Sequence, residues 1–154
     1  MLPKGFLEPG NISIADPASS KKRVLEQAAR LLAGNRDEPG AEQIFERLLE
    51  RERLGSTGLA GGVALPHARM PGMDQSCGAF LRLAEPVDFD ALDGQPVDLV
   101  FALLVPEDAN EEHLKLLAEL ASMFNEEDLR NRLRTAETEQ AAAILTGQAG
   151  THAA

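Results

Sequence analysis

Apolar residues fall at helical spacing near the start of the chain and again in its last third; between these blocks they gather in short runs. Val24, Ala28, Leu31 and Leu32 predict a helix over about 19–33, stopped by Gly34. Ala41, Ile44, Phe45, Leu48 and Leu49 share one face of a second helix, about 41–53, with Gly55 at its C-terminal stop. Ahead of these, residues 1–17 read as irregular apart from a short strand over 12–15, and Asp16 with Pro17 marks a turn. The runs 63–65, 79–83 and 99–104 are bounded by Gly, Pro, Asp and Gln. Their length and punctuation favour strands, although periodicity alone does not separate a buried strand from a buried helix. Asp93 and Gly94 mark a tight turn between two of them.

Further on, Asp108 and Glu111 have the spacing of a capping pair, and Leu114, Leu117, Leu120, Ala121 and Phe124 form the apolar stripe of a long helix. Asn125 is placed to cap a shorter helix carrying Leu129 and Leu133. A last helix over 138–145 ends at Gly147, and the tail from Gln148, with His152 in it, is expected to fray. Helices on both sides of a block of strands predict a layered α/β sandwich.

Length and composition narrow the class. A chain of 154 residues suits one domain with a sizeable core. No apolar run approaches the roughly 18 residues of a membrane helix, and the first residues carry no secretory pattern. The single cysteine, Cys77, has no internal disulfide partner and reads as a buried small residue. A cytoplasmic protein without membrane insertion is expected. The formal net charge of −10 argues against nucleic acid as a partner, because phosphate binding needs clustered Lys and Arg. The acidity serves either solubility or steering toward a basic partner.

The candidate chemistry lies in the stretch 58–69, GLAGGVALPHAR. Pro66 biases Leu65 toward extended backbone and removes a ladder donor, so a strand is expected to end there and open into a loop at His67. A neutral imidazole so placed can attack a phosphoryl group through one nitrogen while the other, hydrogen-bonded, fixes the tautomer. The spacing alone equally allows a structural histidine. The glycines match neither common phosphate-binding signature and serve at least a tight turn. His113, in the first turn of a predicted helix, suits the rim of the core as well as a site, and Arg51 and Arg53 suit a helix end.

The stretch Arg51-Glu52-Arg53-Leu54-Gly55-Ser56-Thr57-Gly58, a small-residue loop, and then Ala64-Leu65-Pro66-His67 resembles the active-site signature of the fructose/mannitol-type enzyme IIA family of the bacterial phosphoenolpyruvate-dependent phosphotransferase system. The Leu54-Gly55-Ser56-Thr57-Gly58 wording is most similar to the nitrogen-regulatory branch, as are the run 89–106, FDALDGQPVDLVFALLVP, and His113-Leu114. The resemblance covers about 8–146, within one enzyme IIA domain spanning 1–154 and ending in a frayed tail, 148–154. It implies a three-layer α/β/α sandwich around a mixed sheet. It also implies that His67 accepts the phosphoryl group, that His113 is the second active-site histidine, and that Arg51 stabilises phosphate.

The implied function is a phosphohistidine carrier and regulator that takes its phosphoryl group from a histidine-containing phosphocarrier protein. It would signal to regulatory target proteins by phosphorylation-dependent binding, a phosphotransferase component more than a free-standing enzyme. The alternative is a sugar-transport enzyme IIA passing phosphate to a separate IIB domain. No cofactor is implied and no metal is demanded; His67 and His113 alone make an incomplete metal site. Three positions depart from the family wording: Ala60 stands for a glycine, Gly61 for an asparagine, and Ala68 for the glycine usual after the histidine. A positive φ at position 68 would strain alanine.

Overall fold

The computed structural model describes residues 6–36, 38–108 and 111–146. A 3-10 turn, Pro9–Asn11, leads into β1 (Ile12–Asp16), α1 (Lys21–Ala33) and α2 (Ala41–Leu54). Then come β2 (Val63–Ala64), β3 (His67–Met70), β4 (Cys77–Val87) and β5 (Val97–Pro106), followed by α3 (Glu111–Phe124), α4 (Glu127–Thr135) and α5 (Thr138–Thr146). The fold is α/β in one domain with a mixed sheet. β1 runs parallel to β4, β4 antiparallel to β5, and β2 and β3 both pair in parallel with the outer side of β5.

Strand alternation divides β5 between two cores. Val100, Ala102 and Leu104 face α1 and α2, packing with Val24, Leu25, Ile44 and Leu48. Leu99, Phe101, Leu103 and Val105 face the later helices, packing with Leu120, Phe124, Leu133 and Leu145. Helices therefore cover both faces, and β5 is apolar from Leu99 to Val105 because neither face meets water there. Phe6 and Leu7, in the segment expected to be irregular, close the second core; the Phe6 and Phe124 rings lie 6.0 and 5.9 Å from Phe101. Asp16 makes the expected turn by accepting from the Ala18 amide at 2.9 Å, and Ser20 caps α1 by accepting from the Arg23 amide at 3.2 Å.

Several expectations need correction. β4 and β5 extend beyond the runs 79–83 and 99–104, because pairing continues past them: Cys77 and Gly78 lie opposite Leu104 and Leu103, Val87 opposite Val97, and Met70 opposite Pro106. The strand 63–65 stops at Ala64, because the Leu65 amide turns to the Thr57 carbonyl at 3.0 Å instead of to β5. His67 does not open a loop; pairing resumes there, as the Pro66 carbonyl accepts from the Leu103 amide at 2.9 Å and β3 follows. Leu114 is 65% exposed, outside the apolar stripe it was placed in. α4 begins after Glu126 with no side-chain cap, so Asn125 does not cap it. α3 begins at Glu111, and Asp108 lies in the turn before it. Cys77 is half-buried rather than buried, with its sulfur hydrogen-bonded by Arg36; burial pushes the thiol pKa up. Gly147, the tail from Gln148 and His152 lie outside the described residues.

Candidate functional site

β3 is the outermost strand at the end of β5 that leads to α3, so three elements converge on it. Ala68 and Met70 point into the core beneath α1 and α2, and the intervening His67 and Arg69 project from the opposite face. α3 begins five residues after β5 and brings His113 onto that face; the two imidazole rings lie 5.8 Å apart, tilted by 49°. The last turns of α2 supply Arg47, Arg51 and Arg53. With His67, His113 and Arg69 they line an open cleft of about 600 Å³, edged by Glu50 and Leu54. The three residues singled out from sequence, Arg51, His67 and His113, thus share one cleft.

The His67 ring is oriented by its own backbone. Nδ1 lies 2.8 Å from the Leu65 carbonyl oxygen. A carbonyl only accepts, so the proton sits on Nδ1 and Nε2 carries the lone pair. Burial lowers the His67 pKa, the Leu65 bond opposes this, Arg51 lowers it further and Glu52 opposes. The neutral imidazole is the favoured form at neutral pH. Burial also lowers the pKa of His113, helped by His67 and Arg69. His113 is 8% exposed, and its Nδ1 finds no hydrogen-bond partner among the described residues.

The arginines are positioned by a buried network. Glu52, next to Arg51, accepts from the Thr57 amide at 2.8 Å and the Thr57 hydroxyl at 2.7 Å, and pairs with Lys21 Nζ at 2.9 Å. This fixes the end of α2 to the segment that follows. Ser56 donates to the Phe89 carbonyl, and Lys21 lies over the Phe89 ring, 5.1 Å from its centroid. Arg51 itself donates to the Gly55 carbonyl at 2.9 Å, at the C-terminal end of its helix, where a cation is favoured. Glu52, Thr57 and Lys21 were not identified from sequence as site-supporting residues, nor were Arg47 and Arg69 as cleft residues. The signals were present but weak: Arg47 is one helical turn before Arg51, and Arg69 is two strand residues after His67.

The glycine loop lies elsewhere. Val63 is opposite Leu99 and His67 opposite Leu103, four residues on, or about 13 Å along the strand. The loop is held from α4. Arg134 makes a two-pronged pair with Asp98 at 2.8 and 2.9 Å and donates to the Gly61 carbonyl at 2.8 Å. Gly61 and Gly62 have φ of 81° and 80°; a Cβ on Gly62 would come within 2.7 Å of Arg134. Among the described non-glycine residues only Ala15 and Asp90 have positive φ, so neither Ala60 nor Ala68 is strained. The three departures in wording leave the local backbone sound.

Among the described residues, no three His, Cys, Asp or Glu side chains gather to hold a metal ion, and no helix is long and apolar enough to cross a membrane.

Residues 5–146 match the family described as phosphoenolpyruvate-dependent sugar phosphotransferase system, EIIA 2. A nitrogen regulatory protein of Pseudomonas aeruginosa is 54% identical over 136 residues, covering 88% of each chain. A fructose-specific EIIA component of Haloferax volcanii is 37% identical over 131 residues, covering 84% of each. The crystal structure of nitrogen regulatory protein IIA-Ntr from Neisseria meningitidis superposes with a TM-score of 0.85 at 46% identity, covering 91% of this chain and 96% of that one. The chain belongs to the EIIA 2 family of the phosphoenolpyruvate-dependent sugar phosphotransferase system, with nitrogen regulatory proteins among its near relatives.

Proposed function

We propose that the protein is a phosphohistidine carrier of the nitrogen-regulatory type, accepting a phosphoryl group on Nε2 of His67 from a histidine phosphocarrier protein. The observation that carries this reading is the Leu65 carbonyl on Nδ1, which leaves Nε2 as the nucleophilic nitrogen beside His113 and Arg51. In the transfer the donor's N–P bond breaks as the Nε2–P bond forms, and the leaving imidazole keeps the electron pair. Such a reaction depends on positioning and on stabilising charge spread over the phosphoryl oxygens. Arg51 supplies a fixed positive charge. His113, with Nδ1 buried, has Nε2 available to donate a hydrogen bond to a phosphoryl oxygen.

Phosphorylation would place close to two negative charges among the cleft arginines. That changes which protein surfaces the cleft attracts, and it is the physical basis for a regulator whose output is phosphorylation-dependent binding to target proteins. The names of the Pseudomonas and Neisseria relatives support this nitrogen-regulatory reading. The fructose-specific Haloferax relative supports a second one, in which phosphate passes onward to a IIB domain. Rapid transfer from the phosphorylated protein to a fructose-type IIB domain would favour the second.

The test is intact mass after incubation with phosphoenolpyruvate and an active phosphotransferase relay. One acid-labile phosphoryl group on wild type and none on His67→Ala is expected. Stoichiometric labelling of His67→Ala would overturn the assignment.

A further inference from the structure

We propose that Arg69 is a second phosphoryl-binding cation, acting from β3 while Arg51 acts from α2. The inference rests on the phosphocarrier reading and names a residue to which neither the signature nor that reading gives a role.

Position comes first. His67 and Arg69 alternate with the buried Ala68 and Met70, so both side chains leave the same face of β3. Residues two apart on one face of a strand have Cα atoms about 6.6 Å apart, well within reach of a guanidinium. Both side chains line the cleft that holds His113 and Arg51. Arg69 is also electrostatically close to the pair, since its charge helps lower the proton affinity of His113.

Hydrogen bonding comes second. Arg69 Nη1 donates to the Glu107 carbonyl at 3.1 Å. Among the described residues the guanidinium has no other hydrogen bond and no carboxylate partner. Arg134 shows the contrasting pattern of an arginine committed to structure: half-buried, paired twice with Asp98 and bound to the Gly61 carbonyl. Arg69 is exposed and keeps most of its donors for an acceptor that arrives in the cleft. A phosphoryl group on His67 Nε2 offers three oxygens. His113 and Arg51 can each engage one, which leaves a third for Arg69 from β3.

The competing role is a strap. Through Glu107, Arg69 also ties β3 to the turn that leads into α3, and could act only by placing His113. Two substitutions separate the roles. Arg69→Gln keeps an N–H donor for the Glu107 carbonyl but removes the charge. Arg69→Lys keeps the charge but loses the planar fork.

The experiment is rapid-quench transfer from the phosphorylated donor to wild type, Arg69→Gln and Arg69→Lys, at two salt concentrations. Cross-relaxation between the His67 and His113 rings, 5.8 Å apart, reports the placement of His113 in each unphosphorylated variant. The expected result is stoichiometric labelling of all three on His67. Arg69→Gln should be slowed roughly 10- to 100-fold with the ring-to-ring cross-relaxation unchanged, and Arg69→Lys should recover most of the rate. Arg69→Gln transferring at the wild-type rate would overturn the proposal. So would both variants slowing equally with the ring-to-ring cross-relaxation lost, which is the signature of a strap. Failure of wild type to be labelled, with the relay active on a control, would instead overturn the phosphocarrier reading itself.

Discussion

The two ends of the outer strand, β2 with the glycine loop and β3 with the histidines, use arginine in opposite ways. At the glycine loop, Arg134 is locked by Asp98 and a carbonyl, and the backbone of Gly61 and Gly62 is shaped around it. At the histidine end, Arg51 and Arg69 each donate to one backbone carbonyl and meet no carboxylate among the described residues. His113 keeps an unpartnered ring nitrogen there. An arginine held by a carboxylate and a carbonyl gives its loop rigidity; arginines with donors to spare leave a cleft open to an arriving acceptor. The motif wording runs through both ends, yet only one gathers two histidines and four arginines around an open cleft.

The contrast can be broken or sharpened by substitution. The largest effect belongs to His67→Ala, which should lose phosphoryl uptake entirely while thermal unfolding changes by less than about 1 kcal/mol. His113→Ala should be labelled at the same residue but about 10²-fold more slowly, read by rapid quench. At the other end the pattern inverts. Arg134→Ala should cost about 2 kcal/mol of stability in denaturant titration, with transfer rate held within about twofold because the sites are well separated. A slow but fully stable Arg134→Ala would erase the distinction between the two ends.

Acid provides a milder probe. Because the His67 pKa is lowered, the neutral nucleophile persists below the ordinary imidazole value of about 6.5. The transfer rate should therefore stay flat through that pH and fall only at lower pH. Stability follows the same sign. Below about pH 6.5 the unfolded chain binds protons that the folded His67 and His113 resist, so unfolding free energy drops as pH falls. Loss of that slope in the His67→Ala, His113→Ala double variant would tie it to the pair. The smallest effect is expected from Ala60→Gly. Ala60 has no positive φ to relieve, so this change should lower stability by about 0.5–1 kcal/mol and leave transfer unaltered.

The sequence was most legible where burial is one-sided and continuous. α1 and α2 follow their apolar stripes almost to the residue, and β5 follows its unbroken apolar run. β3 escaped because His67 and Arg69 interrupt the apolar signal and Pro66 advertises an end; pairing through the Pro66 carbonyl is invisible to a rule about missing donors. Leu114 escaped because helical spacing alone does not say how wide the buried face is. His67, His113 and Arg51 stood out as candidates mainly through the family signature. Their convergence depends on register, β3 against Leu103 and α3 starting just past β5, which no local pattern encodes. The same limit hid Glu52, whose partner Lys21 lies on another helix.

The most direct measurement is a proton–nitrogen correlation spectrum of the histidine rings, recorded before and after phosphorylation. His67 should begin as the neutral tautomer protonated on Nδ1, and the phosphoryl group should appear on its Nε2. A phosphoryl group on Nδ1, or on His113, would contradict this, because the Leu65 carbonyl would then not be what selects the nucleophile.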